Sequence, residues 1–255
     1  MNNKLQKSVL GSNYVKNYID KNIRSNYKNP KDLYFGGKNT LIGVLMNSND
    51  PILKGVEPKL VRGAVCELML QYSLEYFFSE TDYNYGIFNN LLLYNNFYGS
   101  TTQLDSVVLT NNCVLVIECK SLYGESIIED GIIWTKYGKT NQEVTKTTPW
   151  KQNMSHILTL KDELGKLNMD FNNCFYVNMV FVFGIGRIIK YTPENNKILA
   201  TTNNDNILPI LNQEISKSRR VKIDNSSLRS AFKYLNSKTH NIDDEIQHIQ
   251  NLERR

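Results

Sequence analysis

The hydrophobic and polar positions fall into blocks with different periods. Residues 58–78 are apolar nearly all round, start on Pro58 and contain no glycine after Gly63. That pattern predicts a buried helix opened by a proline in its first turn. Apolar runs at 88–93, 103–110, 113–120, 131–135, 174–183 and 198–201 are short and rich in β-branched and aromatic residues, which predicts strands. A second helix is expected over 149–164, and further helices over 205–215 and 226–236, with weaker ones near 5–22 and 243–255. Strands grouped in the middle and flanked by helices predict one α/β domain with a central mixed β-sheet. The expected division is a basic N-terminal extension over 1–56, the α/β domain over 57–215 and a basic helical extension over 216–255.

Composition narrows this picture only modestly. In 255 residues, 41% are hydrophobic and 22% charged, as in ordinary globular proteins. No window reaches the roughly 20 apolar residues of a membrane span, and the N-terminus has no apolar run of signal-peptide length. A cytoplasmic location without membrane contact is the expectation. Cys66, Cys113, Cys119 and Cys174 form no CxxC pair and read as buried free thiols. The formal charge of +5 is uneven: +7 over 1–62, −5 over 63–212 and +3 over 213–255. Basic ends around an acidic middle suit a polyanion, although solvated surfaces produce the same balance.

The stretch QLDSVVLTNNCVLVIECK, residues 103–120, carries the chemistry. Asn111-Asn112 lies between two β runs. Asn tolerates positive φ, so a two-residue hairpin turn is predicted there. Facing residues then sum to 223, which sets Asp105 opposite Glu118 and Gln103 opposite Lys120, all four on one side of the sheet by strict alternation. Two facing carboxylates repel unless a cation lies between them. Two carboxylates, a backbone oxygen and water suit Mg²⁺, with Mn²⁺ as the alternative. Lys120 would stand beside the ion. The competing reading leaves the acids at exposed strand ends, with Lys120 paired to one of them.

Asp105 on one strand and Glu118-Cys119-Lys120 on the next resemble the PD-(D/E)xK nuclease superfamily, and within it the nuclease-related domain (NERD) family. The resemblance also covers Gly63-x-x-x-Glu67, Thr102-Gln103-Leu104-Asp105, Gly124, Trp134, Pro149-x-x-Gln152, the strand at 175–183 and the ILATTNNDNILPIL stretch, so it spans roughly residues 60–215. Leucine stands where the superfamily name has proline, a common departure. The resemblance implies a restriction-endonuclease-like core. It makes Asp105 and Glu118 metal ligands, adds the main-chain carbonyl of Cys119 as a third, and makes Lys120 the catalytic lysine. It brings Glu67 to the site as an additional acid and sets Gln103 and Gln152 near the metal or the phosphate. The implied activity is Mg²⁺-dependent phosphodiester hydrolysis, with DNA ahead of RNA as the substrate. A homodimer is compatible with it. The alternatives are a nucleic-acid-binding or assembly module that keeps the fold without turnover, and an interaction protein with a structural ion site.

Other signals weigh less. His156 follows Gln152 by four residues and shares its helix face, but reads as an ordinary helix histidine. His240 and His248 lie in the polar tail. Gly184-Ile185-Gly186 lacks the third glycine of a dinucleotide loop and is followed by a β-like run. The basic cluster 217–222 suits either phosphates or solvent.

Overall fold

The protein is described from a computed structural model, which defines residues 20–21, 58–95, 99–122, 124–137, 143–168, 170–184, 187–192, 198–201, 207–217 and 222–238. The expected helix at 243–255, nearly all of that at 5–22, and the histidines of the tail lie outside these residues.

The elements run α1 (Pro58–Ser79), β1 (Tyr85–Asn95), β2 (Ser100–Thr110), β3 (Cys113–Leu122), β4 (Glu125–Glu129), β5 (Ile132–Tyr137), β6 (Glu143–Thr147), α2 (Pro149–Gly165), α3 (Asp170–Asn173), β7 (Phe175–Gly184), β8 (Arg187–Tyr191), β9 (Ile198–Thr201), α4 (Ile207–Lys217) and α5 (Asn225–Lys238). A mixed five-stranded sheet has the order β1-β2-β3-β7-β9, antiparallel through β3 and parallel beyond it. Parallel pairing of β3 with β7 requires a crossover, and β4 to α3 supply it. The fold is thus α/β with a mixed sheet flanked by helices, as expected. A second sheet, β6-β5-β4-β8, was not anticipated. Strands β4 and β6 are five residues long, and the charges and threonines of 143–147 hide any apolar alternation.

Strand β3 explains the layering. Cys113, Leu115 and Ile117 join the core under α1 and α4, while Val114 and Val116 join the core under α2 and α5. Both faces are therefore dry, as expected of a central strand that reads as a continuous apolar run. In the second core, α5 contributes Leu228, Ala231 and Leu235, and Phe232 lies 5.6 Å from Phe88 of β1 between ring centroids. The inner face of the small sheet, Ile128 and Ile133, packs with Leu122, Trp150 and Val182 at the end of the large sheet where β3 terminates.

The β2–β3 register is the predicted one: Ser106↔Ile117, Val107↔Val116, Val108↔Leu115 and Leu109↔Val114. The turn has a different basis. The non-glycine residues with positive φ among those described are Asn90 and Asp130, not Asn111 or Asn112. Instead the Thr110 hydroxyl accepts the amides of Asn112 at 3.2 Å and Cys113 at 3.0 Å. A side-chain oxygen closes the turn where a left-handed backbone was expected. Among the described residues, no helix is long and apolar enough to cross a membrane.

Candidate active site

Alternation along β3 carries past Val116 to Glu118 and Lys120, which continue the face that α2 covers. Glu118 is 1% exposed. Its Oε1 accepts a hydrogen bond from the Lys120 ammonium, whose Nζ also lies 3.4 Å from Oε1 of Gln152. Gln152 is exposed on the first turn of α2. It faces Lys120 because Pro149 starts the helix beside the end of β3. Glu118 Oε2 has no hydrogen-bond donor among the described residues and lies 3.4 Å from Nδ1 of His156, one helical turn beyond Gln152. His156 therefore belongs to the site, although it was read from the sequence as an ordinary helix residue. The signal was its spacing of four from Gln152.

Asp105 comes from the neighbouring strand. Pairing between β2 and β3 ends at Ser106↔Ile117, one step short of it. There the Asp105 carboxylate takes over as acceptor, receiving the backbone N–H of Cys119 at 2.8 Å. The strict alternation that predicted a facing Asp105–Glu118 pair therefore stops at the site, yet the two acids remain electrostatic neighbours. Burial, then the charges of Glu118 and Glu67, raise the Asp105 carboxyl well above the usual range, against the Cys119 amide and Lys120, which pull it down. Burial also raises Glu118. Lys120 opposes that rise through its charge and hydrogen bond, and Glu67 adds to it. Burial alone would lower the pKa of Lys120, but Glu118 outweighs it, with Asp105 adding to the effect, and the net direction is upward. The lysine is held as an ammonium.

Glu67, half-buried on α1, thus approaches from the opposite layer close enough for its charge to act on both acids. Cys119 turns toward that layer, where burial and the Cys66 thiol hold its own thiol protonated. Gln103 lies farther along β2, donating to Oδ1 of Asn90 at 3.3 Å.

One buried side chain ties α2 to this arrangement. The Asn153 amide donates to Val116 O at 2.7 Å, Asn178 Oδ1 at 2.9 Å and Met179 O at 3.2 Å, so the helix is fastened to β3 and β7 just below the acids. Asn178 in turn donates to Trp150 O at 3.0 Å. Nothing in the sequence pattern marked Asn153 beyond a polar residue among apolar ones. Asn153→Ala leaves several buried acceptors short of a donor and should lower stability by about 1–3 kcal/mol, measurable as a reduced midpoint in urea unfolding.

Asp105 and Glu118 therefore lie beside one ammonium, with the charge of Glu67 acting on both acids and Glu118 Oε2 buried and lacking a donor among the described residues, an arrangement that a cation would complete. Among the described residues, no group of three or more His, Cys, Asp or Glu side chains is arranged to hold a metal ion. What Asp105 and Glu118 offer is carboxylate oxygen, the hard donor that a divalent cation such as Mg²⁺ takes.

A mixed sheet with acids and a lysine where the pairing of two adjacent central strands ends defines the class as an α/β protein with a nuclease-like core. The comparison with known families is more specific: residues 62–184 match the family described as nuclease-related domain (NERD). That match begins within the first turns of α1 and ends with β7, a little under half of the chain, and is what this part of the chain is similar to. No curated protein and no solved structure gave a significant match.

Proposed function

We propose that the chain is a metal-dependent nuclease that hydrolyses phosphodiester bonds, with DNA as its substrate and Mg²⁺ or Mn²⁺ as its cation. The observation that carries this reading is the buried Glu118. One of its oxygens is held by Lys120, while the other has no donor among the described residues and lies in the same cluster as Asp105. A cluster that only served packing would gain nothing from two raised carboxyls beside an ammonium.

Asp105, Glu118 and the Cys119 carbonyl would hold the cation. When bound, it supplies acidity to a water molecule and offsets negative charge on the phosphate. Lys120 stays charged and partly exposed between Glu118 and Gln152. From there its ammonium can donate to a phosphate oxygen or orient the attacking water, because charge grows on oxygen as the phosphodiester opens. Gln152, exposed on the same side, offers its amide to the phosphate. Asp105 keeps β2 and β3 at a fixed separation through the Cys119 amide. The basic balances of 1–62 and 213–255 favour a polyanion on the same chain.

The test incubates the full chain with supercoiled plasmid, linear duplex, single-stranded DNA and RNA, each with Mg²⁺, Mn²⁺ or EDTA. Cleavage is expected with either metal and not with EDTA. Asp105→Ala should reduce it by about 10³-fold or more. Cleavage that persists in Asp105→Ala would sink the assignment. Retention of DNA with no cleavage under any condition would select the non-catalytic binding module.

A further inference from the structure

Asp105 stands where the pairing of β2 lapses on both sides. Toward β3 the last pair is Ser106↔Ile117. Toward β1 the register runs from Asn89↔Ser106 to Leu91↔Leu104, skipping the level at which Asn90 faces Asp105. At that level Asn90 has a φ of 55°. Left-handed backbone is uncommon for a residue with a Cβ, and Asn is among the few types that adopt it. Asp130, with a φ of 54°, sits beside Gly131 in the turn between β4 and β5, where such a conformation is ordinary. Asn90 is in the interior of an eleven-residue strand, and its backbone has no turn to explain it.

The apolar pattern slips at the same place. Phe88, Leu91 and Leu93 of β1 join the same core cluster, as do Leu104, Val107 and Leu109 of β2. Each strand thus has one spacing of three where a continuous pleat allows only two. Because both strands slip together, the register between them is unchanged across the break. The break is also bridged by side chains: Gln103 donates to Asn90 Oδ1 at 3.3 Å, and Ser106 donates to Asn89 Oδ1 at 3.0 Å.

We propose that Asn90 is a positioning residue of the site: its left-handed backbone interrupts the pleat of β1 opposite Asp105, and its carbonyl, accepting from Gln103, holds the matching interruption in β2, so that the Asp105 carboxylate meets the Cys119 amide. The inference rests on the reading of Asp105 as an acid of the site. It also gives Gln103 a defined task, the fixing of Asn90, in place of direct contact with the phosphate. Strain of this kind persists where the surrounding structure over-determines it, and such places cluster at functional sites.

Glycine accepts the left-handed backbone and valine resists it, so the test compares Asn90→Gly with Asn90→Val in the full chain without metal. The readout is amide hydrogen exchange at Cys119, referred to the Ile117 amide on the same strand so that a global loss of stability cancels. Asn90→Gly, which keeps the backbone conformation and gives up only the bond from Gln103, should keep the Cys119 amide protected to within about threefold, while Asn90→Val, which gives up both, should speed its exchange by about tenfold or more relative to Ile117. Mg²⁺-dependent cleavage should fall in the same order through kcat, with KM for DNA little changed. Where Asn90→Val does not fold, Asn90→Ala, which resists the same conformation with a smaller side chain, is read in the same way. Undiminished Cys119 protection in the substituted protein would overturn the proposal, and so would equal damage from glycine. The exchange measurement needs neither substrate nor metal. A wild-type protein that cleaves nothing would therefore end the nuclease reading while leaving this inference to be decided by exchange alone.

Discussion

Lys120→Met is expected to lower cleavage by about 10²–10³-fold or more and, in EDTA, to lower the melting temperature as well. The two losses have different origins. Cleavage falls because the ammonium between Glu118 and Gln152 is the cationic side chain directly hydrogen-bonded within the cluster of acids, and methionine has nothing to donate to a phosphate oxygen or a water. Stability falls because Glu118, at 1% exposure, would lose the donor on Oε1 while Oε2 already has none among the described residues. Removing one partner of a buried ion pair is costly, about 3–5 kcal/mol when the other is left charged. Lys120 is 24% exposed, and Glu118 can relax by taking a proton, so the cost should fall toward the lower end. Adding Mg²⁺ should restore much of the lost melting temperature without restoring cleavage, because the cation replaces the lysine as a counter-charge but not as a donor. Scanning calorimetry with and without Mg²⁺, beside a cleavage assay, separates the effects. A Lys120→Met protein that melts like wild type in EDTA would mean that Glu118 is not supported by the lysine.

Much of the large sheet could be read from the sequence, because its strands are long, apolar and bounded by turns. The two best-read pieces, α1 and the β2–β3 register, share a physical reason. A helix apolar all round and a hairpin buried on both faces leave few other ways to hide their side chains. The second sheet was hidden because 143–147 carry no periodic apolar signal. At the site, Asp105, Glu118 and Lys120 were legible as charges where the pattern called for apolar residues. The manner of their approach was not. Alternation predicted a facing pair, whereas the ladder stops at Ser106↔Ile117 and the carboxylate of Asp105 replaces a backbone acceptor. That interruption depends on the conformation of Asn90, one of a pair of adjacent asparagines in a strand, and composition does not distinguish a left-handed asparagine from an extended one. His156 and Asn153 were obscured for another reason: one polar residue per helical turn is ordinary, and only the position of α2 across β3 brings His156 to Glu118 and Asn153 to the strand backbones beside it.

Asp105→Asn should reverse the stability effect of Lys120→Met while also abolishing cleavage. The amide oxygen of asparagine can still accept the Cys119 N–H, so the hydrogen bond that ties this side chain to β3 is kept. What disappears is a charge that burial, Glu118 and Glu67 all disfavour. A carboxyl whose folded pKa is raised contributes stability that is complete below its unfolded value and is lost as pH rises through the folded value. Asp105 and Glu118 both shift upward. Without metal, their contribution to stability should therefore decline as pH rises from below about 4 into the neutral range, and at neutral pH each ionised carboxylate works against the fold. Removing one should raise the melting temperature in EDTA by several degrees, at about 2–4 °C per kcal/mol for a chain near this size, with the gain shrinking as the buffer is made acidic. Mg²⁺ should stabilise the wild type more than Asp105→Asn, since it binds the ionised acids, so the two melting curves approach or cross as the metal is titrated in. Melting followed between pH 5 and 8, with EDTA and then with Mg²⁺, decides the matter. If Asp105→Asn melts below wild type in EDTA at neutral pH, Asp105 is held by an attractive partner, and the cluster is then a closed structural network with no need of a cation.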